Sequence, residues 1–307
     1  MIVHTPVMLK EVCEYMPKDT KLIVDCTLWH GGHAIALLSI AQEAKLIGFD
    51  VDELMMNKAK QIIENAETNP SGFATSPWNG RKYEENLDSR IEYVHGNYAD
   101  IVSVLDGRKA DYILNDLGVN LEHFKDVERG FSIRGAAPLD MRFDTSKGTS
   151  AADLVRTYSI DQLKNIFEIY ADFSSPKALE IAKHIVTTKK QKPIETTQDL
   201  KLVLNDCGLG DKACTVIFQS IRIEVNHELD NLQRFLSEFP KVMNSAWRCC
   251  MITYHSTEDR FVKQAFRELV ATWEYLLVQK KAIMPNYKEV AKNRAARSAK
   301  IRILEKL

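Results

Sequence analysis

No apolar run in the 307-residue chain reaches the roughly 18–20 residues that a membrane-spanning helix requires. Its opening stretch, MIVHTPVMLKEV, has no basic-then-apolar leader and is neither Arg-rich nor Ser-rich, so no signal or transit peptide is expected. None of the six cysteines (Cys13, Cys26, Cys207, Cys214, Cys249, Cys250) forms a CxxC pair. That argues for buried free thiols in a reducing cytoplasm and against a metal site. A net charge of −1 supplies no overall cationic field for nucleic acid. GxGxxG and GxxxxGK[ST] are both absent, which removes the dinucleotide fingerprint and the P-loop. No internal repeat is visible.

With 45% hydrophobic and 27% charged residues, the chain can bury a proper core. Apolar runs bounded by turns predict strands at 22–26, 45–49, 91–95, 111–115 and 247–254, with later ones at 273–279 and 299–304. Helical or loop segments separate the first four, so the sheet should be mostly parallel. Residues 67–90 read as a long surface loop, and 117–150 as an extended loop region. Helices then dominate. Ser159 and Gln162 make a capping box, Ser175-Pro176 starts a second helix, and a third spans about Thr197 to Cys207. A fourth begins near Asp211, with an apolar pattern running past Leu229. A helical block therefore interrupts an α/β domain between its fourth and fifth strands.

The stretch VDCTLWHGGHA (24–34) has strand, glycine turn, helix punctuation. Asp50 ends the next strand, where a carboxylate can accept both hydroxyls of a ribose. Tyr98 follows the third strand and can lie along an adenine face; Asp116 follows the fourth. A dinucleotide demands close backbone approach to a pyrophosphate, hence more glycines; S-adenosylmethionine has no phosphate and tolerates a looser loop. The pattern thus favours a methyl donor over NAD. Each residue also has a plain structural alternative: Asp50 as a helix cap, Tyr98 as packing. Charge is uneven: nine Lys/Arg face two acids from Lys280 to Leu307, and five lysines face one glutamate from Lys177 to Lys192. Such clusters serve either phosphates or solvated surface.

The chain resembles the bacterial small-subunit ribosomal RNA cytosine-N4 methyltransferases over nearly its whole length. The matching stretches include HTPVMLKEV (4–12), GGH (31–33), HGNYAD (95–100), DLGV (116–119), ERGFS (128–132), PLDMRFD (138–144), FQSIRIEVNHEL (218–229), YHSTEDRFVK (254–263) and NRAARSAKIR (293–302). The resemblance implies a class I methyltransferase fold, Rossmann-like and mostly parallel, with residues 1–140 and 215–307 as the methyltransferase domain. Residues 141–214 would be an inserted helical substrate-recognition domain. The implied reaction is N4 methylation of a cytidine near the decoding centre, with S-adenosylmethionine as donor. The implied partner is small-subunit RNA or the assembled 30S particle, met by a monomer or homodimer with no membrane attachment.

Carried over by position, the implied cofactor residues are Gly31, Gly32, His33, Asp50, Tyr98, Asp116 and His123. Tyr98 stands where the family usually has Phe, and His123 where it usually has Gln. Cys26 and Trp29 replace glycines of the family loop. A cytosine amine is a poor nucleophile facing a strong electrophile, so the enzyme needs positioning more than a strong base. Asp116, Asp140 and His255 are the catalytic candidates. Arg142 can instead pair with Asp140, and His255 can instead pack beneath a helix capped by Ser256 and Asp259. Arg142, Arg222, Asn226, Arg260, Arg294 and Arg297 are the RNA candidates, with internal ion pairs as the alternative for Arg142, Arg222 and Arg260 and a solvated surface for Arg294 and Arg297.

Overall fold

The computed structural model describes residues 6–68 and 87–307. It divides into two compact units, one made of the described residues up to Gly118 together with Asn231–Leu307, the other of Val119–Asp230. The compact units thus divide at 118 and 230, where the sequence placed the cuts after residues 140 and 214. Phe131, Leu139 and Met141 before the expected cut, and Ile217, Phe218 and Ile221 after it, share the core of the helical unit.

The first unit is built on a seven-stranded sheet: β1 (Leu22–Asp25), β2 (Lys45–Asp50), β3 (Ile91–His95), β4 (Ala110–Asp116), β5 (Met243–Thr253), β6 (Tyr275–Leu277) and β7 (Lys300–Lys306). The order is β3-β2-β1-β4-β5-β7-β6. β3 to β5 run parallel, while β7 pairs antiparallel with both β5 and β6. This is the class I methyltransferase arrangement expected from the sequence. The order reverses between β1 and β4, and the crevice outside the carboxyl ends of strands at such a switch point is where open α/β sheets hold ligands. Helices α1 (Leu9–Glu14), α2 (Gly32–Ile40), α3 (Glu53–Thr68) and α4 (Ile101–Leu105) accompany the parallel strands. Leu37 and Leu38 of α2 and Ala59 and Ile63 of α3 share one core with Ile23, Leu46, Tyr112, Leu114 and Ile252 of the sheet. Tyr112, fully buried, donates its hydroxyl to the Val12 carbonyl at 2.8 Å, which satisfies the polar end of an otherwise apolar side chain.

β5 begins four residues earlier than its apolar run. Ala246 is in the left-handed region at φ 64, and the pairing jumps from Ala110↔Met243 to Tyr112↔Arg248. The irregularity breaks the period-2 pattern that reveals a strand in sequence. Of the long loop expected over 67–90, residues 69–86 lie outside the described residues; α3 continues through Thr68 at one end and a 3-10 turn occupies Asp88–Arg90 at the other.

The second unit holds α5 (Leu121–Lys125), α6 (Ala151–Thr157), α7 (Ile160–Ala171), α8 (Ser175–Lys189), α9 (Thr197–Asp206) and α10 (Asp211–Val225). The Ser159/Gln162 capping box forms as expected. Glu224 of α10 accepts the hydroxyls of Tyr158 at 2.7 Å and Tyr170 at 3.1 Å. The expected single helix past Leu229 is instead broken at Asn226-His227, with His227 at φ 50, before α11 (Glu228–Glu238). The apolar spacing survives the break, so periodicity alone misses it. Finally α12 (Ser256–Val270) follows β5 and α13 (Tyr287–Lys292) precedes β7.

All six cysteines are free, and five are buried, Cys207 being half-buried. Burial pushes the Cys26 and Cys249 thiols well above their ordinary range. Among the described residues no helix is long and apolar enough to cross a membrane.

Candidate active site

Three carboxylates end three adjacent strands: Asp25 on β1, Asp50 on β2 and Asp116 on β4. Each is no more than 6% exposed. The turn after β1 is shaped around them. Asp25 accepts the Thr27 N–H at 3.1 Å through one oxygen, and its other oxygen has no partner among the described residues. Trp29 lies in the left-handed region at φ 48, and its N–H reaches Asp50 Oδ2 at 2.9 Å. The other Asp50 oxygen accepts the Asp52 N–H at 2.8 Å. Gly31 sits at φ 71, and a Cβ there would come within 2.8 Å of Ile63 Cδ1; a Cβ on Gly32 would meet Pro6 Cγ at 2.4 Å. The two glycines are thus required by the protein's own packing.

Asp116 is the most elaborately held. Its N–H donates to Thr27 Oγ1 at 3.0 Å, and its Oδ1 accepts the Tyr254 hydroxyl at 2.7 Å. Its Oδ2 lies 3.8 Å from His33 Nδ1. His33 Nε2 faces the Val7 carbonyl at 3.0 Å, which requires that nitrogen to carry the proton. Gly118, at φ 107, leaves room for the Tyr254 ring, which a Cβ would approach at 3.1 Å. Burial pushes the carboxyls of Asp50 and Asp116 up to about 7, against hydrogen bonds that favour ionisation. Asp25 is raised well above the usual carboxylate range by burial, and further by the nearby charges of Asp116 and Asp50.

His255 caps α12. Its Nδ1 accepts the Glu258 N–H at 3.4 Å, while Glu258 accepts the N–H groups of Tyr254 at 2.7 Å and His255 at 3.2 Å. His255 Nε2 also lies 2.9 Å from Glu258 Oε1. The capping alternative is realised, though by His255 and Glu258 rather than Ser256 and Asp259; Asp259 binds Lys300 and Arg302 instead. His255, expected as a catalytic candidate, is thus held by this cap just after β5. Tyr98, half-buried, opens the 3-10 turn Tyr98–Asp100 and presents its ring edge-on to Phe235, centroids 5.4 Å apart.

The sequence profile of the MraW methylase family matches residues 1–307. The chain belongs to the MraW methylase family. Ribosomal RNA small subunit methyltransferase H of Elusimicrobium minutum is 37% identical over 314 residues, covering 99% of this chain and 98% of the relative. The protein of that name from Pseudothermotoga lettingae is 36% identical over 316 residues, covering 99% of each chain. That of Brachyspira hyodysenteriae is 33% identical over 319 residues, covering 100% of this chain and 97% of its own. The resemblance read from the motifs is borne out.

Several family-matching residues of the helical unit serve the fold of that unit. His123 is buried in an aromatic cluster, stacked on Phe131 at 4.9 Å and tilted against Phe143 at 5.3 Å. Asp140 forms a forked pair with Arg142, Nε to Oδ1 at 3.0 Å and Nη2 to Oδ2 at 2.7 Å. The internal ion pair that the sequence offered as the alternative for Asp140 and Arg142 is therefore formed. Arg222, buried, makes two bonds to Glu228 at 2.7 and 2.9 Å. Asn226 accepts the Phe143 N–H at 2.7 Å and donates to the carbonyls of Met141 and Arg222 at 2.8 and 2.9 Å. Arg222 and Asn226, expected at the RNA, are thus both engaged in bonds within the helical unit. Arg260, Arg294 and Arg297 are exposed. Asp25, Thr27 and Tyr254 were missed as site residues. Asp25 was accessible by the strand-end logic applied to Asp50, whereas the folding back of Tyr254 onto Asp116 had no sequence signal.

Proposed function

We propose that this member of the MraW methylase family methylates the N4 amine of a cytidine in small-subunit ribosomal RNA, near the decoding centre, using S-adenosylmethionine. The relatives named above carry the RNA assignment, and the three buried carboxylates carry the cofactor. A pyrophosphate needs positive charge or clustered N–H donors, which Asp25, Asp50 and Asp116 do not supply. A ligand bearing an ammonium, a sulfonium and a ribose diol suits them, and the unpartnered oxygen of Asp25 has room in its bonding for a cation.

When bound, the cofactor supplies an electrophilic methyl group. Asp50 would accept the ribose hydroxyls while keeping the turn closed through Trp29. Tyr98 would lie along the adenine. Asp25 and Asp116 would complement the cationic end, and Asp116, titrating near neutrality, would take the proton the amine loses. The Tyr254 hydroxyl aims that carboxylate. The target cytidine would be splayed from its strand, because a stacked base cannot reach the methyl group. The helical unit would contribute RNA recognition. The test is single-turnover transfer from labelled S-adenosylmethionine to small-subunit RNA, with digestion to nucleosides. N4-methylcytidine is the expected product; a methylated base of any other kind, or none, refutes the reading.

A further inference from the structure

The structure sorts the basic carboxyl-terminal stretch into two sets. Lys300 and Arg302 bind Asp259, and Lys306 donates to the carbonyls of Pro240 and Met243. Lys280, Lys281, Lys288, Lys292, Arg294 and Arg297 are all exposed, and no ion pair to them occurs among the described residues. The one acid between them, Glu289, is half-buried and accepts the Met8 N–H, so it does not neutralise its neighbours from outside. The segment is fixed in place. Ile283 and Ile301 exchange backbone hydrogen bonds at 2.9 Å each way, and α13 packs on the 3-10 turn Arg294–Ser298. Among these cations stand two large apolar side chains left in water, Tyr287 at 86% and Met284 at 53% exposure.

We propose that residues 280–297 form a docking surface for single-stranded RNA, with Tyr287 as a base-stacking platform and the outward cations as phosphate contacts. The proposal rests on the RNA substrate proposed above and adds where and how the strand is gripped. Cations alone fit any polyanion. An exposed tyrosine fixed among them fits one whose bases are free to stack, because stacking on an aromatic ring requires an unpaired face. Duplex RNA offers phosphates but no such face.

The experiment measures binding of the full chain to a single-stranded oligoribonucleotide and to its duplex by fluorescence anisotropy across a salt series. Tyr287→Ala should weaken single-strand binding by about fivefold or more and leave duplex binding unchanged, while Tyr287→Phe restores the wild-type value. Replacing Lys280, Lys281 and Lys288 by Ala should lower the slope of log K against log salt by about 0.7 for each phosphate no longer neutralised. Equal loss on single strand and duplex in Tyr287→Ala, or an unaltered salt slope in the lysine variant, overturns the proposal. So does selective loss of binding to phosphatidylserine vesicles with RNA binding intact, which would make the face a membrane-binding one. Wild-type methylation of small-subunit RNA is scored separately, so failure of this surface is distinguishable from failure of the assigned reaction.

Discussion

Tyr254 and Asp116 concentrate the chemistry at the scale of single residues. A phenol donating at 2.7 Å favours the carboxylate, while burial among Asp25, Glu258 and Cys250 favours the neutral acid, and the balance lies near pH 7. The folded state holds this proton above the ordinary carboxylate value of 3.8, so the fold loses stability from this group as pH rises from there through about 7. A bound cation recovers that loss. Affinity for S-adenosylmethionine should therefore rise as pH rises through neutrality. Tyr254→Phe should move the midpoint upward, with affinity recovering at alkaline pH; isothermal titration over a pH series reads both. A uniform loss at every pH would mean that the hydroxyl is only structural. Asp50→Ala should cost about 1.5–3 kcal/mol of cofactor binding in the same assay, as a charge-assisted acceptor is removed. The strand-end position of Asp50 was legible in the sequence because it follows from where an apolar run stops. That Trp29 takes a glycine-like backbone, in a loop where the family has glycines, is intelligible only once its N–H is seen on Asp50.

At the scale of elements, the central strands β1, β2 and β4 were legible because their residues are buried on both faces and read as apolar runs. What escaped were features that leave the pattern intact or scramble it: the break at His227 and the early start of β5. The basic stretch at the end of the chain shows a similar limit. Its residues look alike in sequence, yet Asp259 of α12 binds Lys300 and Arg302 of β7. Those two cations hold the Asp259 carboxyl below its ordinary range despite its burial. Their contribution to stability is present above the ordinary carboxylate pKa and fades as pH falls through the lowered one. Asp259→Ala should destabilise the chain by about 1–2 kcal/mol at neutral pH, discounted for partial exposure, and by less in acid. Equal melting temperatures at neutral pH would show that the pairs contribute nothing.

For the whole molecule, two units each have a core of their own, and in the reading proposed here the sheet unit holds both the carboxylates and the 280–297 RNA surface while the helical unit adds to RNA recognition. The motif order made the family legible over the full length, while the cut between units was set by which core residues 119–140 and 215–230 pack into, which the change of pattern after Asp116 marks only on one side. S-adenosylmethionine at a hundred times its Kd should stabilise the chain by about 2.7 kcal/mol, read as a raised melting temperature, whereas NADH should leave it unchanged. A shift with NADH alone would reverse the cofactor assignment. The central claim is tested most directly by mass spectrometry of small-subunit RNA from a strain lacking this protein, beside the same strain carrying the wild-type chain or Asp116→Ala. The account predicts that one N4-methylated cytidine near the decoding centre disappears in the deletion and returns only with the wild-type chain. An unchanged modification pattern would contradict it.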